Sequence, residues 1–281
     1  MKFKDAFMCL AEFQEKYTEL HLLGKGGYGS VFAGHREVDK LPVAIKHIPK
    51  EKVDRKHNVS EQQHLGLTSS PIGFQMHCEF LLFASMVQDE NGREMALEVA
   101  IMLKLKNLTG SSSGQLATVS LLDWYELEEE LLIVMERPTP SQDLNDYLDE
   151  NGGCLNEEDA KVILKQLVEA AIQLQDANIF HRDIKLENVL IERSSEGLQA
   201  YLIDFGLKYR TQKKYFAGPT TVWQLGVVLF EILHDTNFDT NKFLKKKLKI
   251  SKRLPKSETN IVFYLLTAYI NLSATLTIVA L

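Results

Sequence analysis

The run His181-Arg182-Asp183-Ile184-Lys185-Leu186-Glu187-Asn188, with Asp204-Phe205-Gly206 following it, fixes an aspartate, a lysine, an asparagine and a second aspartate at set spacings. A carboxylate such as Asp183 can accept a proton from a hydroxyl. Asn188 and Asp204 offer the oxygen ligands that magnesium takes, and Lys185, two positions past Asp183, can offset negative charge on a group in transfer. Together these are the tasks of phosphoryl transfer, in which little covalent chemistry falls to the protein and positioning and charge do most of the work. Chance triplets in a charged chain would explain the two runs separately, but not their order or the partners upstream of them.

Upstream, Leu22-Leu23-Gly24-Lys25-Gly26-Gly27-Tyr28-Gly29-Ser30-Val31 contains G-x-G-x-x-G. By itself this pattern fits a dinucleotide-binding turn equally well. The flanks decide, because Ser30-Val31-Phe32-Ala33-Gly34 continues as a strand rather than a helix, which puts the glycines in a hairpin that can fold over phosphates. Val43-Ala44-Ile45-Lys46 reads as the next strand, with Lys46 reaching the α and β phosphates. A buried lysine needs a carboxylate to hold it. Apolar residues recur with helical period from Glu94 to Lys104, so Glu98 is the expected partner and Glu94, one turn away, the fallback.

Leu131-Leu132-Ile133-Val134-Met135-Glu136 reads as a buried strand and runs into Arg137-Pro138-Thr139-Pro140-Ser141-Gln142-Asp143-Leu144. Proline has no amide hydrogen, so this segment offers an adenine ring one donor fewer than is usual. Together with the glycine run, Leu41 to His47, Leu121 to Trp124 and the run ending at Asn188, it resembles the Pim family of serine/threonine protein kinases, over most of residues 17 to 208. The resemblance implies ATP and magnesium as cofactors. It implies nucleotide contacts at Leu23, Gly24, Gly26, Gly27, Gly29, Val31, Ala44, Lys46, Glu98 and Glu136, catalysis by Asp183, Lys185 and Asn188, and metal ligation by Asn188 and Asp204. Asp143, Asp146 and Glu187 match acidic positions that receive basic residues of the substrate, although Leu186 stands where close relatives have aspartate.

The expected fold class is α+β and two-lobed, with a small β-sheet lobe and a helical lobe that is cut short. A chain of 281 residues with 45% hydrophobic content can bury the core this requires. The expected organisation is an N-terminal extension over 1–16, a sheet lobe over 17–136 with an insertion at 57–89, a helical lobe over 137–233 and a tail over 234–281. In the helical lobe Asn156, followed by Glu157, Glu158 and Asp159, is a capped helix start, and Ile163, Leu164, Leu167, Val168, Ala171 and Leu174 form its apolar face. Val189 to Ile191 and Ala200 to Ile203 read as brief strands that deliver Asp204. A net charge of -6 argues against a nucleic-acid partner and suits basic protein substrates, with a monomer expected. Cys9, Cys78 and Cys154 are odd in number and widely spaced, which suits a reducing cytoplasm, and no secretory signal is evident at Met1 to Asp5.

Three features depart from the family pattern. The connection from Lys46 to Glu98 carries the insertion at 57–89, with an apolar run at Phe80 to Ala84 and a turn at Ser69-Ser70-Pro71; loop closure adds only about 1 kcal/mol for such a length. The chain passes from Asp204 to the apolar Val222-Trp223-Gln224-Leu225-Gly226 with no A-P-E motif between, so the activation segment is short and its Lys208, Arg210, Lys213 and Lys214 read as a solvated basic loop. Thr221 stands where many kinases have an aspartate that ties the buried helix to the catalytic loop, an aspartate that Pim relatives lack as well. Finally, a basic stretch at Lys242 to Lys256 precedes the uncharged Ile261 to Leu281, long enough for a cytosol-facing tail anchor as the alternative to a cytoplasmic protein. Two functions from different classes follow: an ATP-dependent serine/threonine kinase, or a nucleotide-binding pseudokinase or truncated product that acts through binding.

Overall fold

The computed structural model describes residues 3–53, 86–88, 94–109, 117–195, 197–205 and 217–248. The insertion up to residue 85, the basic loop at 208–214 and the apolar 261–281 segment lie outside the described residues. The chain divides into two compact units, one formed by residues 1–114, 119–138 and 205–209 and the other by 115–118, 139–204 and 210–281.

The first unit is built on a five-stranded antiparallel sheet of β1 (Tyr17–Gly26), β2 (Gly29–Arg36), β3 (Pro42–Pro49), β6 (Leu121–Glu126) and β7 (Glu130–Glu136), in the order β1-β2-β3-β7-β6. Alternation along β3 explains its two faces: Val43 and Ile45 point to one side and Ala44 and Lys46 to the other. Val43 and Ile45 join Phe13, Tyr17, Tyr125, Leu127, Leu132 and Val134 in one core cluster. Phe13 belongs to α1 (Phe3–Lys16), so residues expected as an extension supply part of the core of this unit. Its ring lies edge-on to Tyr125 at 5.5 Å, and burying such a side chain contributes about 1.5–3 kcal/mol. Below it, Tyr17 Oη donates to Asp123 at 2.7 Å and Tyr125 Oη to the same carboxylate at 3.4 Å.

A short α2 (Lys50–Val53) follows β3, and β4 (Met86–Gln88) pairs antiparallel with β5 (Glu94–Ala96) before α3 (Leu97–Thr109) begins. The helical period read from Glu94 onward therefore starts three residues late. Glu94 pairs with Gln88 in a strand and does not stand one helical turn before Glu98. Pairing with β4, which lies just before the helical pattern, overrides the apolar period at this end.

The second unit carries a three-stranded sheet of β8 (Ser141–Asp143), β9 (Val189–Ser194) and β10 (Gly197–Leu202) in the order β10-β9-β8. Its helices are α4 (Leu144–Glu150), α5 (Glu157–Asp176), α6 (Ala217–Leu233) and α7 (Thr240–Leu244). Asn156 caps α5, its side chain accepting from Asp159 N at 2.9 Å, and Glu157, Glu158 and Asp159 complement the helix dipole. Ile163, Leu164, Leu167, Val168, Ala171 and Leu174 are all buried along α5, and Gln166 fastens β10 to it by donating to Leu198 O and accepting from Ala200 N, both at 2.8 Å. Trp223 and Phe230 of α6 pack edge-on or tilted with Phe238 and Phe243 at 5.4–5.7 Å, so four rings seal the short α7 against the helix. Among the described residues no helix is long and apolar enough to cross a membrane.

Candidate active site

In the first unit, the glycines form the hairpin between β1 and β2, where Gly26 pairs with Gly29. Gly29 is required by the fold itself: a Cβ there would lie 1.9 Å from His47 O. At Gly24, Gly26 and Gly27 a Cβ would meet nothing within 4 Å, so internal packing does not account for glycine at these three positions. That open rim suits close approach of a phosphate to the backbone.

The register places Val31 opposite Lys46 and Ala33 opposite Ala44, with Gly24 opposite Val31. Val31, Ala44 and Lys46 consequently share one sheet face, away from the Phe13 cluster. Leu23 is half exposed at the hairpin and Glu136 is exposed at the end of β7, where its N–H donates to Ser120 O. Lys46 Nζ lies 2.6 Å from Glu98 Oε1, with side-chain exposures of 8% and 11%. Burial to this degree makes each charge depend on the other, since an unpartnered ammonium or carboxylate in such a place is strongly disfavoured.

In the second unit, the run His181 to Asn188 forms a loop closed by a 3-10 turn at Leu186–Asn188. Asn188 is buried, and its Nδ2 donates to Asp183 Oδ2 at 2.8 Å and to Asp183 O at 2.7 Å. With both amide hydrogens directed to Asp183, the oxygen of the Asn188 side chain takes no part in this pairing. The residue before Asp204 is clamped to the same loop: Ile203 N donates to Asn188 O at 3.0 Å, and His181 Nε2 donates to Ile203 O at 2.8 Å. Both Arg182, at φ 68°, and Asp204, at φ 65°, occupy the left-handed region, which side chains other than glycine enter at a cost and which the surrounding bonds here enforce. An asparagine oxygen and an aspartate carboxylate are hard donors suited to magnesium.

Asp143 caps α4, accepting from Asp146 N at 2.9 Å, and its carboxyl is held above the usual aspartate range by burial, with Asp146 and Glu187 adding repulsion. Glu231 on α6, a carboxylate not singled out in the sequence, is likewise raised by burial, with Glu187 again contributing. Its signal is hidden within an otherwise apolar helical stretch. Lys185 Nζ stands 3.5 Å from Glu187, both partly exposed, so this pair adds little stability.

A protein kinase domain model matches residues 84–217. The serine/threonine-protein kinase pim-2 of Danio rerio is 31% identical over 266 residues, covering 86% of this chain and 76% of the relative. The serine/threonine-protein kinase prk-2 of Caenorhabditis elegans is 26% identical over 245 residues, covering 80% of this chain and 46% of that protein. A PAS domain-containing serine/threonine-protein kinase of Mus musculus is 28% identical over 251 residues, and there the chain spans only 15% of the relative's length. With the α+β fold, the glycine hairpin, the Lys46–Glu98 pair and the Asp183–Asn188 loop already in place, the chain belongs to the Pim-like serine/threonine protein kinases.

Proposed function

We propose that this chain transfers the γ-phosphate of ATP to serine or threonine hydroxyls in basic peptide segments. The observation that carries the reading is the bonding of Asp183 by Asn188: a carboxylate fixed in orientation, with the amide oxygen of its partner available for a cation. In this reading Asp183 accepts the proton of the attacking hydroxyl, and Lys185 offsets charge on the transferring group. Asn188 and Asp204 would hold magnesium, which would supply positive charge beside the phosphates. Lys46, oriented by Glu98, binds the α and β phosphates. Leu23, Val31, Ala44 and Glu136 border the adenine, and the rim of Gly24, Gly26, Gly27 and Gly29 covers the phosphates. The sheet lobe runs over 17–136 together with α1, whose Phe13 completes its core, and the helical lobe over 137–233.

Asp143, Asp146 and Glu187 face the basic residues of the substrate, and Glu231 extends that acidic set. Burial of Asp143 and Glu231, with repulsion from Glu187 adding to it at both, supports a role in binding cations, since such carboxylates gain most when a positive side chain arrives. The chain acts as a monomer in the cytoplasm, and its net charge of -6 suits basic protein partners rather than nucleic acid. The short activation segment predicts slower turnover than in a relative with a full one, because that segment forms the platform for the peptide.

The test is phosphorylation of an arginine-rich serine peptide by the purified chain with magnesium-ATP. Turnover should be lost in Asp183→Asn while thermal stabilisation by magnesium-ATP persists. Peptide phosphorylation that survives Asp183→Asn would reject the assignment.

A further inference from the structure

Thr221 cannot make the carboxylate tether that an aspartate at its position supplies in many kinases, yet the catalytic loop of this chain is bonded to α6 all the same. Gln224, one turn along and on the same face of the helix, donates through Nε2 to Arg182 O at 2.6 Å. Arg182 is the left-handed residue that turns the chain between His181, itself bonded to Ile203, and Asp183. We propose that Gln224 is a positioning residue for phosphoryl transfer: its amide fixes the Arg182 peptide, and through it the direction of the Asp183 carboxylate.

Three observations support this beyond the single bond. Gln224 Oε1 is buried and has no hydrogen-bond partner among the described residues, so the amide's orientation is set from its nitrogen side, by the Arg182 carbonyl. A reversed amide would set oxygen against oxygen at this distance. The platform is also rigid, since Val222, Leu225, Val228 and Leu229 on α6 are almost wholly buried, so a bond from Gln224 transmits the position of the helix. Lastly, a residue at φ 68° relaxes toward ordinary backbone when its peptide is released, and the neighbour that would move with it is Asp183.

The inference rests on the reading of Asp183 as base, but one arm of its test needs no turnover. Gln224→Met removes the donor at nearly constant volume, and Gln224→Glu places a carboxylate against the carbonyl. Amide hydrogen exchange across residues 179–188 should rise about tenfold in Gln224→Met and further in Gln224→Glu, the scale of one lost hydrogen bond, while exchange in α5 and in the β9–β10 hairpin stays as it was. In the peptide assay, kcat should fall in the same order with KM for ATP within about twofold, the signature of an interaction that acts in the transition state. Unchanged exchange in the loop of Gln224→Met would overturn the proposal. So would a uniform rise that includes α5, which would mark Gln224 as a packing residue only. If the loop loosens as expected but no chain phosphorylates peptide, the positioning contact stands and the catalytic reading of Asp183 fails.

Discussion

In the first unit the buried charge of Lys46 is met across the fold, by Glu98 from a helix 52 positions away, whereas in the second unit Asp183 is bonded by Asn188 only five positions on. The first pair exists only if the sheet and α3 are both formed, and once formed each partner needs the other to remain charged in a place with little water. The second is made within one loop, and its members are closer to solvent or satisfied by neighbouring backbone. Function and stability should therefore be coupled at Lys46 and separable at Asp183. Isosteric change should therefore be tolerated structurally at Asp183 and not at Lys46.

The largest expected effect lies on the separable side. Asp183→Asn should lower peptide phosphorylation by about 10²–10⁴-fold, the usual worth of a positioned base, with the melting temperature nearly unchanged because an amide oxygen still accepts from Asn188. A large loss of stability in this variant would break the contrast. Next, Lys46→Met should destabilise the protein by about 3–5 kcal/mol, since it strands the Glu98 carboxylate, and Lys46→Met with Glu98→Leu should recover much of that loss in denaturant unfolding. Equal stability of Lys46→Met and Asp183→Asn would show that the distance between partners teaches nothing here.

A smaller effect sharpens the comparison inside the second unit. His234 is buried, stacked on Phe230 at 4.1 Å and donating through Nδ1 to Phe230 O at 2.7 Å, and burial depresses its pKa below the ordinary histidine value. A depressed folded-state pKa means that the native state binds the proton less well than the unfolded chain. The contribution is complete above about pH 6.5 and is lost as pH falls below it toward the folded-state value. His234→Phe should cost about 1 kcal/mol at pH 7.5, through the lost hydrogen bond, and the gap to the unaltered chain should narrow as pH falls from 7 to 5 in thermal melts.

The smallest stability change is expected at Asp143. Because burial and its acidic neighbours raise the folded-state pKa, ionisation disfavours the native state, so stability from this group declines as pH rises through the ordinary aspartate range. Asparagine caps a helix as well as aspartate does. Asp143→Asn should leave the melting temperature at pH 7 equal or slightly higher while raising KM for an arginine-rich peptide several-fold. A fall in stability with unchanged KM would reverse the assignment and make Asp143 a cap alone.

How much of this could be read in advance differs element by element. The α5 start at Asn156 was legible because its cap, its acidic first turn and its apolar face are all local. The β9–β10 hairpin was equally so, though each strand runs longer than the apolar core of its pattern, to Ser194 on one side and from Gly197 on the other. The start of α3 was not, because three residues with helical period are claimed by β4 instead. Residues 3–16 carried no cue that Phe13 would complete a sheet core, and Gln224 looked like one more polar residue on a buried helix.

The sequence by itself determined the chemistry: the order and spacing of Lys46, Asp183, Asn188 and Asp204, the glycines between β1 and β2, and the alternation that puts Ala44 and Lys46 on one face of their strand. These rest on covalent spacing and on the periods of strand and helix, which short stretches of chain carry in themselves. The tertiary structure decided which partners those groups meet: Glu98 for Lys46, the Asn188 amide for Asp183, Asp123 for two buried tyrosines, and Gln224 for the Arg182 peptide. Such pairings depend on distance in space between residues far apart in the chain, and burial then raises the cost of breaking them.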